Sequence, residues 1–267
     1  MTKETELKKA YEIVEKKICK YENENNIKLN SKENILEYLK NETPQSLGSL
    51  SKELTVLRLI RDVKIELKDV RDVVNYKEIY NCRYLTKEEL LYVCNKIENI
   101  QDSILLVLAY YNLMGDGYEV ALNLKCEDID LNNGTVAGVK IDDCFMPFFE
   151  RALEEKTYYR SDGLERKLVI SNYLIKPCAI GKQGLMSTDD KTTPSVIKTR
   201  LGRMKKELNA SFTFVTLKNS KIVYDVLENN LIDDYTLKEV RLYLNNNGIK
   251  MNPHEFLNIV DTFIDKK

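Results

Sequence analysis

Residue types suited to proton transfer are scarce in this chain. It has one histidine, His254, and no tryptophan, but 16 tyrosines. Histidine is the side chain whose ordinary pKa suits acid–base work near neutrality, so a mechanism needing two such groups cannot be assembled here. Six cysteines (Cys19, Cys82, Cys94, Cys126, Cys144 and Cys178) include no CxxC pair. With a single histidine they predict no zinc site of the usual spacing and read as reduced thiols, several of them buried. The concentrated chemistry is cationic. Residues 191–221 hold Lys191, Lys198, Arg200, Arg203, Lys205, Lys206, Lys218 and Lys221 against Glu207 alone, eight less one or +7, in a chain of net charge −1. Such a run suits phosphate binding, because affinity follows where charge sits and not the total. Lys198 and Arg203 need not share a helix face with Arg200 and Lys206. A second basic group, Lys52, Arg58, Arg61 and Lys64, is diluted by Glu53, Asp62 and Glu66. For both groups the plainer alternative is a solvated basic helix.

The elements that must position these side chains are mainly helical. Leu7, Ala10, Ile13, Val14 and Ile18 recur at helical spacing. Ser31 caps a helix with Ile35, Leu36 and Leu39, and Thr43-Pro44 ends it. Leu50, Leu54, Leu57, Ile60 and Val63 form a further stripe. Periodicity weakens over residues 74–83, which suggests a linker. Thr86 and Glu89 then form a capping box, and the mostly apolar residues 101–114 predict a buried helix. Gly115 and Gly117 break it. Residues 134–141 read as a strand, Asp142-Asp143 as a turn, and residues 144–147 as its partner, with another short strand at 168–171. Helices are expected at 148–156, 194–208, 218–229, 236–245 and 253–264, the last capped by Asn252 with Pro253 in its first turn.

Several of these words match a known family. Leu85-Thr86-Lys87-Glu88-Glu89-Leu90 resembles the opening of the catalytic domain of tyrosine recombinases and phage integrases. The run from Glu119 through Ala121, Leu122, Leu124 and Asp128 to Asp130 resembles the family's stretch after its first catalytic arginine, and Asn132-Asn133-Gly134-Thr135-Val136 continues into its hairpin. Thr213-Phe214-Val215-Thr216-Leu217-Lys218-Asn219-Ser220 resembles the box that normally reads Thr-Pro-His-x-Leu-Arg-His-Thr. The resemblance implies a mainly α fold with a small β-hairpin or sheet. It implies a helical core-binding-like DNA-binding domain at 1–75, a linker at 76–84 and a recombinase-like domain at 85–267.

The departures from that family are informative. Its enzymes clamp a phosphodiester with two arginines and attack it with tyrosine, and positive donors stabilise the phosphoryl charge. By the word Gly-x-Arg-x-x-Glu, Asp116 takes the first arginine's position, where a carboxylate repels phosphate. Val215 stands for the first histidine, and Lys218 for the second arginine, without its bidentate fork. Asn246 falls near the second histidine or tryptophan position, and Glu255 or Phe256 where the nucleophilic tyrosine belongs. Lys140 in the hairpin matches the family's lysine. Tyr235 and Tyr243 lie somewhat upstream of the nucleophile position, as expected by chance among so many tyrosines. Asp116 and Lys218 are expected to pair and close the former phosphate pocket.

The resemblance therefore implies a sequence-specific double-stranded DNA-binding regulator, a phage or prophage transcriptional repressor, that is no enzyme. It is similar to the repressors of SPβ-like prophages that use a recombinase fold with lost catalytic residues. Its expected DNA contacts are Lys52, Arg58, Arg61, Lys64, Lys140, Lys198, Arg200, Arg203, Lys205, Lys206, Lys218 and Lys221, with no metal or cofactor. The stripe Phe256, Leu257, Val260 and Phe263 either mediates a homo-oligomer or folds back on its own core. No apolar run approaches the roughly 20 residues that span a bilayer, and no signal segment is visible at the N-terminus, so a cytoplasmic chain is expected. The alternatives are an active recombinase with unusual residues, and a protein-interaction subunit that has lost DNA binding.

Overall fold

The computed structural model describes residues 3–42, 44, 47–70, 83–160, 163–179, 190–208 and 210–266. The chain divides into two compact units, Met1–Asn81 and Cys82–Lys267. It is mainly helical with small antiparallel sheets.

The first unit is built from α1 (Lys3–Asn25), α2 (Lys32–Asn41), α3 (Leu47–Arg61) and the short α4 (Leu67–Val70). Ser31 caps α2 by accepting from the Asn34 amide at 3.2 Å. Ile18, Leu29, Ile35, Leu39, Leu50, Leu54 and Leu57 fill the core. Ile13 departs from the expected stripe at 69 % exposed: it lies five residues from Ile18, about 140° away on a helix. The side chains of Leu7 and Ala10, and most of the proposed linker, lie outside the described residues. α3 stops at Arg61, because Asp62 takes φ 50°, so Val63 and Lys64 fall beyond the helix.

Two acids lie buried in this bundle. Glu22 accepts the Leu29 amide at 2.8 Å and both prongs of Arg61. Those hydrogen bonds from Arg61 hold the Glu22 carboxyl below its ordinary value, against the effect of burial. Glu53 is only 5 % exposed and accepts from Lys17 at 3.0 Å and the Tyr38 hydroxyl at 3.1 Å. It is an interior acid and does not dilute a basic surface.

The second unit is organised around α6 (Ile100–Tyr110), every residue of which is buried. Packed on it are α5 (Lys87–Lys96), α8 (Met146–Glu154), α9 (Pro194–Glu207) and α10 (Phe214–Glu228). The Thr86–Glu89 capping box starts α5 as expected. A 3-10 turn, Asp116–Tyr118, and α7 (Glu119–Asn123) follow α6. Gly115 sits at φ 71°, and a Cβ there would meet Val120 Cγ2 at 2.6 Å, so only glycine fits.

The β region differs from the expected strand–turn–strand. Ala137 and Gly138, both at positive φ, make the turn inside residues 134–141. The sheet is β1 (Ile129–Asp130), β2 (Thr135–Val136) and β3 (Val139–Lys140), antiparallel in that order, with Val136 opposite Ile129 and Val139. Residues 144–147 are helical instead, with Pro147 in the first turn of α8. A second ribbon pairs β4 (Thr157–Tyr159) with β5 (Glu165–Lys167), and at 168–171 only Leu168 bridges, to Cys178. α10 begins ahead of the expected 218, because Thr213 and Thr216 form a reciprocal cap.

α11 (Leu237–Asn246) and α12 (Pro253–Ile264) close the unit. Asn252 caps α12, accepting from the His254 amide at 2.9 Å. Phe256, Val260 and Phe263 are at most 2 % exposed, and α12 packs on α10 and α11. The apolar stripe, with Leu257 half-buried, therefore serves this chain's own core and not an exposed oligomer surface. Among the described residues, no helix is long and apolar enough to cross a membrane.

Candidate nucleic-acid interface

A cleft of about 560 Å³ opens where β3, α10 and the turn after α11 approach the C-terminal end of α6. Lys140 comes from β3, Lys218, Lys221 and Asp225 from α10, Lys250 from that turn, and Tyr110 and Tyr111 from α6 and the residue after it. Four lysines thus face one carboxylate. Lys221 pairs with Asp225 one helical turn on, and its Nζ lies 5.1 Å from the centre of the Tyr111 ring. Lys140 donates to the Asn133 carbonyl at 2.8 Å, folding over Gly134, where a Cβ would meet its Nζ at 2.9 Å. Lys218 and Lys250 have no ion-pair or hydrogen-bond partner among the described residues. Burial pushes both tyrosine hydroxyls above their ordinary value. Tyr111 also accepts the Asp142 amide at 3.0 Å, and the Tyr110 hydroxyl has no partner among the described residues.

Of the family positions, the cleft brings together only Lys140 and Lys218. Asp116 is exposed in its turn, outside the cleft, and no ion pair joins it to Lys218 among the described residues, so the expected closure does not form. Counted from Gly115, the third residue of that word is Gly117; in either register the turn carries no guanidinium. Val215 is 66 % exposed. Asn246 ends α11, and its neighbour Asn247 lines the cleft instead. Phe256 is in the core, and Glu255 accepts from Tyr84 and from Asn219 at 3.1 Å. His254 is exposed and outside the cleft.

The basic run is divided by burial. Arg200 is 3 % exposed. Its Nε lies 3.7 Å from Asp102, and its Nη2 donates to the Lys176 carbonyl at 2.8 Å. Arg203 donates to Asp102 and to the Tyr159 carbonyl. Asp102 is fully buried and also accepts from Tyr158 at 3.2 Å. Burial raises the carboxyl's pKa and the two guanidiniums oppose that rise. Arg200 therefore offers its charge to the interior and not to a duplex, and Arg203 does so for the most part. Arg61 is corrected in the same way by its bond to Glu22. Lys191 donates to Asn123 and lies 5.4 Å over the Tyr173 ring. On α9 Lys198 and Lys206 remain exposed and Lys205 half-buried, with Lys198 and Lys205 seven residues apart and so on one face. In the first unit Lys52, Arg58 and Lys64 are exposed.

Sequence reading missed Tyr110, Tyr111, Asp225 and Lys250, which carry no local signal. It also missed Asp102, which did carry one: an acid in an otherwise apolar helix must find a cation once buried.

Residues 84–261 match the family described as MrpR, C-terminal catalytic domain. The chain belongs to that family. The MrpR family is tyrosine-recombinase-like, and its match runs from just before α5 into α12, leaving the first unit outside. No curated protein matches the chain.

Proposed function

We propose that this MrpR-family chain is a sequence-specific double-stranded DNA-binding regulator, a transcriptional repressor of the prophage kind, that holds its duplex without cutting it. The carrying observation is the cleft, where Lys140 and Lys218, the residues at two of the family positions, meet Lys221 and Lys250 against one acid, with no histidine in its lining. Lysines hold a phosphate as point charges. Strand transfer needs a fixed clamp on the transition state and groups to move protons. The two cleft tyrosines are pushed towards their neutral form, the opposite of an activated nucleophile. The exposed Lys198 and Lys206 and the half-buried Lys205 of α9 extend the same cationic character.

The experiment is recovery of bound fragments from sheared genomic DNA, followed by titration of the recovered duplex at several salt concentrations. Saturable binding that weakens steeply with salt supports the reading. Failure to retain any fragment at low salt favours an interaction subunit without DNA binding. A second reading, an active recombinase with unusual residues, is favoured by the match to a catalytic domain. A covalent protein–DNA adduct on a nicked suicide duplex would establish strand cleavage and overturn the inactive-scaffold reading.

A further inference from the structure

The four lysines of the cleft are not equivalent. Lys140 donates to the Asn133 carbonyl, a neutral acceptor that leaves its charge uncancelled. Lys218 and Lys250 have no partner among the described residues. Lys221 alone is matched by a carboxylate, Asp225, one helical turn on along α10. The i,i+4 spacing sets the two side chains side by side on a helix that is already formed, so the pair needs no other segment to assemble it. Lys221 is also drawn to the Tyr111 ring, with its Nζ 5.1 Å from the ring centre. The Lys221 side chain is 19 % exposed and that of Asp225 44 %, so an anion entering the cleft meets the carboxylate more readily than the ammonium. After burial, the charge of Asp225 is what pushes the Tyr243 hydroxyl of α11 above its ordinary value, so the field of this acid reaches across the cleft wall. A phosphate there is repelled by Asp225, and Lys221 can bond to it only by giving up its own carboxylate.

We propose that Asp225 is an autoinhibitory group of this cleft: it withholds Lys221 from a bound phosphate polyanion and leaves Lys140, Lys218 and Lys250 to hold it. This rests on the reading of the cleft as a phosphate-binding face and adds what limits its grip. A regulator that holds a duplex intact must also release it. One more lysine–phosphate contact would tighten binding chiefly by slowing release, and Asp225 prevents that contact from forming.

The test uses the full chain and two probes, a short mixed-sequence DNA duplex titrated at several salt concentrations and a heparin column eluted with salt. Asp225→Asn is expected to tighten duplex binding at low salt by roughly three- to fivefold and to steepen the slope of log affinity against log salt by about 1. It also elutes from heparin at higher salt than the wild type. In a Lys221→Ala background the same substitution leaves the slope unaltered, because the lysine it would release is gone. Lys221→Ala by itself weakens binding, by leaving Asp225 unopposed, but keeps the wild-type slope, whereas Lys218→Ala lowers it. An Asp225→Asn variant with wild-type slope and wild-type elution overturns the proposal, and so does a slope that steepens equally without Lys221. Should Asp225→Asn lose its native circular dichroism, the slope of Lys221→Ala decides: a fall of about 1 means that Lys221 already contacts phosphate, against the proposal. A chain retained by heparin but not by the duplex fails the DNA reading, and the heparin elution of Asp225→Asn then decides the role of Asp225.

Discussion

The cleft and the inner face of α9 are both rich in cations, yet they use different ones. The cleft holds Lys140, Lys218, Lys221 and Lys250. The inner face of α9 holds Arg200 and Arg203 around Asp102, and the first unit repeats that arrangement with Arg61 on Glu22. A guanidinium is planar, weakly hydrated and forked, so it can satisfy a buried carboxylate and a carbonyl together, whereas an ammonium is a strongly hydrated point charge that enters the interior here only where, as for Lys176 among the described residues, three carbonyls accept from it. A count of basic residues along the chain therefore overstates the charge open to DNA, and Arg61, Arg200 and Arg203 make up much of the excess.

The strongest way to break this contrast is to remove the buried acid. Asp102→Ala leaves Arg200 without a carboxylate in the interior and Arg203 with only the exposed Glu207, and is expected to cost the second unit about 3–5 kcal/mol, read as a lower midpoint in urea. An unchanged midpoint would mean that Arg200 and Arg203 are not structural, and the contrast fails. Next is Glu22→Gln, expected to cost the first unit about 3 kcal/mol at neutral pH. Arg61 holds the folded-state pKa of Glu22 below its unfolded value. The stabilisation is therefore present above the unfolded pKa and is lost as pH falls through the folded one. The wild-type unit should lose stability in that acid window, and the variant should be flatter there; parallel acid profiles would dismiss the pairing.

Lysine variants sharpen the other half of the comparison. Lys218→Ala should leave urea stability within about 0.5 kcal/mol while lowering the slope of log affinity against log salt by about 1. Lys198→Ala with Lys205→Ala should lower it by about 2. Loss of stability without a change in slope would place these lysines with the structural arginines. The smallest effect is Thr86→Ala, expected to cost about 1 kcal/mol through the lost cap of α5, with no change in salt slope.

Much of this molecule was legible locally. The caps at Ser31, Thr86 and Asn252, the buried α6 and the positions of α9, α11 and α12 follow from side chains acting within one turn of helix, where spacing alone decides. The hairpin was misplaced because Ala137-Gly138 turns the chain without a strong local signature, and residues 143–149 carry an apolar pattern too short to separate strand from helix. In the candidate site, Lys140 and Lys218 were found through family words. Tyr110, Tyr111, Asp225 and Lys250 were not, because nothing in their own neighbourhoods distinguishes them.

Sequence alone determined which chemistry was missing. One histidine and no tryptophan limit the proton-transfer groups in any arrangement of the chain, because composition is independent of folding. Only the tertiary structure decided which cations remain available. Arg200 and Lys198 are two residues apart on one helix, and burial against Asp102 turns one into a structural strut while solvent leaves the other free. Desolvation depends on what packs against a side chain from distant parts of the chain, and that information is not local.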